Sequence, residues 1–378
     1  MQLNQFNPEA FLRKHWQKSP CLLSKAISNP TSFISADELA GLSLDEEVES
    51  RLIYLQQNQW HLEHGPFEES LFSRLPANNW TLLIQTADHW LTEVQPFLQG
   101  FNFIPRWRFD DLMISYATDG GGVGPHFDNY DVFIVQIEGT RRWQVGAKGD
   151  TDARSELING LLHLESFTPI IDTLLEPGDI LYIPPDTAHW GQSVGESISY
   201  SVGYRAPQTK DIMALLANHF DAGSQCPNTQ NLFFSDPYRA HTNTAKIEPE
   251  LIEWAQQELA KIANNKSLIC QLLSQHLSQS KLDKFFDTTN YLATDIQKAH
   301  TIRLNPEVNY NWAELDDKIF ISIEGEQFVF ETTFRKPLTT LLSGKPVNIH
   351  ELNSENIRFD FYQSLATILN KGYIEFDD

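Results

Sequence analysis

The stretch GGGVGPHFDNYDVF, residues 120–133, sets His126 and Asp128 two positions apart behind four glycines and a proline. Glycine loops that cradle phosphate lead from a strand into a helix. This one leads into Tyr130, Val132, Phe133, Ile134, Val135 and Ile137, a β-branched and aromatic run that predicts a strand. Alternate side chains of a strand share a face, so imidazole and carboxylate would be presented together as half of a metal site. The other half is expected in LYIPPDTAHWG, residues 181–191, where an apolar strand ends at Pro184-Pro185 and a turn delivers His189. Two imidazoles and one carboxylate on one face of an octahedral ion leave three positions open. That suits a non-haem Fe(II) that must bind a chelating co-substrate and O2 together. A structural zinc would normally be closed by four ligands. Twelve histidines and fifty acids also allow an H-x-D pair by chance, and a histidine at a strand end can be simply a hydrogen-bond partner.

Two further features bear on the choice. After Glu138-Gly139-Thr140, read as a turn, Arg141, Trp143 and Val145 alternate with Arg142 and Gln144. The first set carries the apolar residues, so its face points inward and takes Arg141 with it. A buried arginine needs an anion. The five-carbon diacid 2-oxoglutarate would supply one, its keto-acid end on the metal and its far carboxylate paired with Arg141. A structural acid such as Asp110 or Asp111 is the other possibility. In SISYSVGYR, residues 197–205, Ile198, Tyr200, Val202 and Tyr204 occupy one face and Ser197, Ser199, Ser201 and Gly203 the other. A face of serines and glycine cannot pack a dry core but can line a cavity for a polar ligand. An exposed strand face is the plainer alternative.

These residues require a β scaffold, and the chain offers one between Asp110 and Pro207. DLMISY, YDVFIVQI, RRWQVG, DILYIPP and SISYSVGYRAP read as short strands punctuated by Gly, Pro and Asp, which predicts a sandwich or barrel. A helix start is expected at Asn7-Pro8-Glu9, with Phe11, Leu12, His15 and Trp16 on one face. Beyond Pro207 the period changes. Ile212, Leu215, Leu216 and His219, then Leu251, Trp254, Ala255 and Leu259, then Ile269, Leu272, Leu273 and Leu277 predict three helices, the first set off by the polar loop DAGSQCPNTQN. Such helices can pair with a second copy or pack on their own barrel. From about residue 280 the pattern mixes again, and the ending, a helix closed by Lys371-Gly372 and then a strand, resembles a winged helix. The length of 378 residues calls for two or three domains.

A net charge of −22 disfavours general nucleic-acid binding and favours either a basic partner or merely an acidic, solvated surface. Cys21, Cys226 and Cys270 are too few and scattered for a disulfide framework and suit a reducing cytosol. The N-terminus lacks the apolar stretch of a secretory signal, and no run approaches the ~18 apolar residues of a membrane span. A cytoplasmic protein is expected.

GPHFDNYDVFIVQIEGTRRW together with LLEPGDILYIPPDTAHWG resembles the JmjC branch of the cupin-fold 2-oxoglutarate oxygenases. The whole chain, from FLRKHWQKSPCLLSKA through RFDDLMISYATDGGGVGPH to its end, is similar to the bacterial ribosomal oxygenases. These are arginine hydroxylases of the sixteenth large-subunit ribosomal protein, with eukaryotic relatives that hydroxylate ribosomal histidines. The resemblance implies a mainly β fold with α elements. Its core would be a double-stranded β-helix in 1–207, followed by a helical dimerisation segment in 208–279 and a winged-helix-like α+β domain in 280–378. It implies Fe(II) held by His126, Asp128 and His189, and 2-oxoglutarate held by Arg141, fifteen residues after the first ligand. Ser115 and Ser201 fall on strands that line the family's co-substrate pocket. Asp119, in the loop leading to the metal, would receive a substrate guanidinium. A basic ribosomal protein is the expected partner, a homodimer the expected assembly, and membrane or direct DNA binding is not expected. The alternatives are a ribosomal histidine hydroxylase, an N-methyl-lysine demethylase, and a non-catalytic metal-binding cupin that docks nucleic acid.

Overall fold

The computed structural model describes residues 3–57, 59–149, 155–158, 161–164, 166–221, 247, 249–296, 301–349 and 359–377. Most of the expected polar loop, from residue 222 on, lies outside them. The chain forms two compact units, Met1–Ala206 and Pro207–Asp378.

In the first unit Asn7 caps a helix, Pro8–Lys14, by accepting from the Ala10 N–H. The helix ends before Trp16. Phe11 is buried edge-on against Tyr182, 4.9 Å between centroids. The strands are β1 (Cys21–Leu23), β2 (Ser50–Gln56), β3 (Gln59–His64), β4 (Trp80–Ile84), β5 (Phe109–Ala117), β6 (Asp131–Lys148), β7 (Ser155–Ile158), β8 (Leu161–Leu164), β9 (Pro169–Leu175), β10 (Ile180–Ile183) and β11 (Thr187–Tyr204). β7 and β8 pair with each other. The rest form one nine-stranded sheet of order β1-β10-β6-β11-β5-β4-β2-β3, with β9 also on β6.

The two 18-residue strands, β6 and β11, shape the site. One half of β6 pairs with β10 and the end of β11, and the other half with β9 and the start of β11. Glu138-Gly139-Thr140 is therefore the interior of one strand, facing a bulge at residues 195–197 of β11, rather than a turn between two. Gly139 on β6 and Gly195 on β11 both adopt positive φ, +64° and +74°, where the register slips between Val194 and Ile198. The residues on either side keep their alternation, as in a bulge that bends a strand without ending it.

Phe133, Tyr182 and Tyr200 anchor the larger core of this unit. A smaller cluster of Val132, Ile134, Trp143, Val145, Leu175, Leu181 and Ile183 lies on the other face of the roll.

The second unit begins with helices Thr209–Asp221, Pro249–Asn264 and Lys266–Ser278. Its strands are β12 (Thr301–Leu304), β13 (Tyr310–Leu315), β14 (Lys318–Ile323), β15 (Glu326–Glu331), β16 (Val347–Asn348) and β17 (Ile374–Phe376). β13-β14-β15 form a meander, and β12 lies between β16 and β17. The boundary read at 279/280 does not separate compact units. Ser274, 5% exposed, takes hydrogen bonds from Ser322 (3.0 Å) and Gln327 (2.9 Å), and Ser278 takes one from the Gly325 N–H (3.1 Å). The last helix is thus fastened to the meander through serines. The helix Phe359–Asn370 then packs its apolar side, including Phe361, Leu365 and Leu369, into the core of this unit before β17 closes the chain.

Among the described residues no helix is long and apolar enough to cross a membrane.

Candidate active site

Two of the four glycines before His126, Gly121 and Gly122, are explained by close approach, and Gly120 and Gly124 by positive φ, +72° and +88°. A Cβ on Gly121 would stand 2.2 Å from the Trp80 carbonyl oxygen, and one on Gly122 would stand 2.2 Å from that of Gly191. At these two positions the segment passes β4 and β11 with no room for a side chain. Main-chain bonds fasten it to β11, from Gly120 N to Ser193 O (2.9 Å) and from Ser193 N to Gly121 O (2.9 Å). The same edge contact continues to the ligands. His126 N donates to His189 O (3.0 Å) and His189 N to His126 O (2.8 Å), an isolated antiparallel bridge.

Each imidazole is oriented by a carbonyl two residues earlier. His126 Nδ1 lies 2.9 Å from Gly124 O, and His189 Nδ1 lies 2.9 Å from Thr187 O. A carbonyl only accepts, so both Nδ1 atoms carry protons and both Nε2 lone pairs face the site. Asp128 Oδ2 stands 3.5 Å from His189 Nε2 and 3.9 Å from His126 Nε2. Asp128 is held in turn by its carbonyl, which accepts from the N–H of Asp186, a residue at φ +57° in the turn after Pro184-Pro185. The three ligand atoms lie within 4.8 Å of one another. Burial, and then the neighbouring His126, pull His189 down to about 4, against the opposing pull of Asp128. It is neutral at physiological pH, the form that ligates a metal.

Arg141, Trp143 and Val145 are buried on the inner face of β6, while Arg142 is exposed and bonded twice to Asp172, at 2.8 and 2.6 Å. Arg141 is 5% exposed, and burial lowers it to about 10. Its hydrogen bonds go to serine hydroxyls, Nε and Nη2 to Ser197 Oγ (3.2 and 3.1 Å) and Nη1 to Ser115 Oγ (3.1 Å). Asp110, one of the two acids considered for it, pairs with Arg205 at 2.7 Å. Of the five N–H donors of the guanidinium, one on Nη1 and one on Nη2 are left for an anion such as a carboxylate.

Arg141 and the triad line one cavity of about 270 Å³. Trp143 lies in its wall between them, its ring 6.0 Å from that of His189. Ser115, Ser199 and Ser201 contribute hydroxyls. The wall therefore fits a small dianion chelating a metal at one end. A buried cation with only neutral partners awaits a negative charge, and three ligands on one side of an ion leave room for chelation. Asp119 lies in the loop ahead of His126, as expected from its position in the chain. It is exposed, is not part of this wall, and its Oδ1 accepts from the Gly195 N–H at 2.8 Å. Sequence reasoning did not single out Ser197 as an Arg141 partner, although it lies on the serine face. Nor did it find Arg51, Gln85 and Met113, which β2, β5 and the segment after β4 bring to the cavity.

Fold and site together define a metal-dependent oxygenase of the JmjC class. The JmjC domain family model matches residues 96–212. The ribosomal protein uL16 3-hydroxylase of Escherichia coli is 40% identical over 274 residues, 72% of this chain and 71% of that protein. The crystal structure of E. coli YcfD superposes with a TM-score of 0.83 at 32% identity over the whole of both chains. A structure of the E. coli ribosomal oxygenase YcfD in complex with cobalt and 2-oxoglutarate superposes at 0.79, also at 32% identity, over 100% of this chain and 99% of that one. The chain belongs to the JmjC-type ribosomal oxygenases.

Proposed function

We propose that this chain is an Fe(II)- and 2-oxoglutarate-dependent dioxygenase that hydroxylates an arginine side chain of the sixteenth large-subunit ribosomal protein, uL16, in the cytoplasm. The observation that carries the substrate assignment is the 40% identity to the E. coli uL16 3-hydroxylase over most of both chains. His126, Asp128 and His189 would hold the iron, and Arg141, with Ser115 behind it, the far carboxylate of 2-oxoglutarate. Bound there, the pair supplies oxidation of an unactivated C–H bond, coupled to conversion of 2-oxoglutarate and O2 to succinate and CO2. The chain's own part is to fix the ligand geometry and to orient the co-substrate. It also holds the target carbon in place, since positioning of this kind can be worth several kcal/mol of barrier.

The net charge of −22 supports a basic protein as substrate. Asp119 is exposed, one carboxylate oxygen accepts from the Gly195 N–H, and its charge would attract the substrate guanidinium. We infer a homodimer through 208–279, where Met213, Ile252 and Leu259 are exposed on helices. The helix-then-strand ending supports a winged-helix-like description of 280–378.

The direct test is the intact mass of uL16 from cells with and without this gene. A sixteen-dalton difference localised to an arginine is expected. An unchanged mass overturns the substrate assignment, and a shift on a histidine or a change in lysine methylation moves it to the corresponding alternative.

A further inference from the structure

The bulge at Gly195 brings two buried hydroxyls together. Ser193 and Ser197 are 3% and 2% exposed, and their Oγ atoms stand 2.6 Å apart. The direction of each hydrogen follows from the ends of the chain. Arg141 can only donate, so Ser197 Oγ accepts from Nε and Nη2, and its own hydrogen is left for Ser193 Oγ. The Ser193 hydrogen goes to Gly195 O at 2.7 Å. Gly195 is then held from the other side by Asp119, whose Oδ1 accepts its N–H at 2.8 Å. No Cβ on Gly195 would meet an atom within 4 Å, so a positive φ rather than crowding calls for glycine there. A polarised chain of hydrogen bonds therefore runs from the guanidinium through Ser197 and Ser193 to a main-chain turn clamped by an exposed carboxylate.

We propose that Ser193 and Asp119 are positioning residues for the co-substrate. They fix the Ser197 lone pairs that hold Arg141, and so aim its two remaining N–H groups at the far carboxylate of 2-oxoglutarate. The inference rests on the reading of Arg141 as that carboxylate's partner. Without Ser193, the Ser197 hydrogen loses its acceptor and the hydroxyl turns, weakening its acceptance from a buried cation. Without Asp119, the turn that carries the terminal acceptor loses its clamp. The role asks only for a hydrogen-bond acceptor at position 119, whereas attraction of a substrate guanidinium asks for charge. Asp119→Asn separates the two, because its amide oxygen still accepts from Gly195.

The test is calorimetric binding of 2-oxoglutarate to Mn(II)-loaded protein without peptide or O2. It compares wild type, Arg141→Ala, Ser193→Ala, Asp119→Ala and Asp119→Asn, with melting temperature and Mn(II) affinity measured alongside. A hydrogen bond that supports a charged group typically carries an effect on the order of 10-fold. Ser193→Ala and Asp119→Ala should weaken 2-oxoglutarate binding by about that factor with Mn(II) affinity and melting temperature retained, and Asp119→Asn should bind close to wild type. If Arg141→Ala binds like wild type, the underlying reading of the cavity fails. If Arg141→Ala abolishes binding while Ser193→Ala and Asp119→Ala do not weaken it, the positioning role alone fails. Weakening by Asp119→Asn equal to that of Asp119→Ala overturns the role of Asp119 as an acceptor. Should Ser193→Ala fail to fold, Ser193→Thr keeps the hydroxyl and should restore both fold and binding, and loss of binding in a folded Ser193→Thr counts against the proposal.

Discussion

Gly122 lies against Gly191, so that a Cβ on the first would come within 2.2 Å of the carbonyl oxygen of the second. Four residues later the same edge contact carries the bridge between His126 and His189. Gly122→Ala should therefore push the segment off β11 and disturb the ligands without touching them. Overpacking of a tight site costs ~1–3 kcal/mol. A lowered melting temperature together with weakened Mn(II) binding is expected, and wild-type values for both would refute the close-approach argument.

The triad makes a stricter demand. His126→Ala, Asp128→Ala and His189→Ala should each abolish conversion of 2-oxoglutarate to succinate while circular dichroism stays native. Near-wild-type succinate production by any two of them would remove the ligand assignment.

Arg141 and Arg142 are neighbours in sequence with opposite surroundings, a buried serine cage and an exposed carboxylate. Truncating a buried charge partner typically costs ~3–5 kcal/mol, so Arg141→Ala should raise the apparent KM for 2-oxoglutarate by orders of magnitude. Arg142→Ala removes an exposed ion pair and should leave that KM near wild type. Equal effects in steady-state assays would contradict the parity of β6.

Asp131 sits at the start of β6 with Tyr182 Oη at 2.5 Å, Gln17 Nε2 at 3.1 Å and Arg108 Nη2 at 3.1 Å. Burial outweighs these three partners and the nearby charge of Lys148, and holds its carboxyl above the usual carboxylate value. The folded state thus binds this proton more tightly than the unfolded chain, and ionising Asp131 costs stability as pH rises from about 4 through its raised folded value. Denaturant titrations of wild type and Asp131→Asn across pH 4–7 should show the difference moving in favour of Asn as pH rises. Movement the other way would mean that the pairing with Arg108 outweighs burial.

A basic substrate meeting an acidic enzyme is steered, and steering is screened by salt. The kcat/KM for a uL16 fragment should fall as salt rises through ~0.1–0.5 M, whereas KM for 2-oxoglutarate should move much less. A flat profile would remove charge as a determinant of substrate choice.

The H-x-D spacing is a local signal, but His126 and Asp128 stand in the segment before β6 and not on the strand expected to present them, and it is the bridge to His189 that aligns them. Arg141 was legible as buried because its neighbours Trp143 and Val145 mark the inner face. The reason for Gly121 and Gly122 was not legible. Their constraint comes from Trp80 and Gly191, which only the sheet brings alongside. The middle of β6 looked like a turn, since Glu138-Gly139-Thr140 has turn chemistry and the β11 bulge it faces at Gly195 lies 56 residues away. Arg51, Gln85 and Met113 reach the cavity through the register of β2, β4 and β5, which no single strand reveals. The contact across 279/280 was not legible because Ser274 and Ser278 look like a solvated face in the sequence, yet they are buried as hydrogen-bond partners of the meander.

The bridge between His126 and His189, with a main-chain carbonyl holding each Nδ1, sets the two imidazoles without any help from a metal. Many small zinc modules unfold when chelated, because binding energy is their folding energy. Here chelation should leave a native apoprotein ready to take up iron again without reordering. The fraction of active enzyme would then follow mass action with the surrounding iron pool, making catalytic output a matter of metal supply rather than of protein turnover.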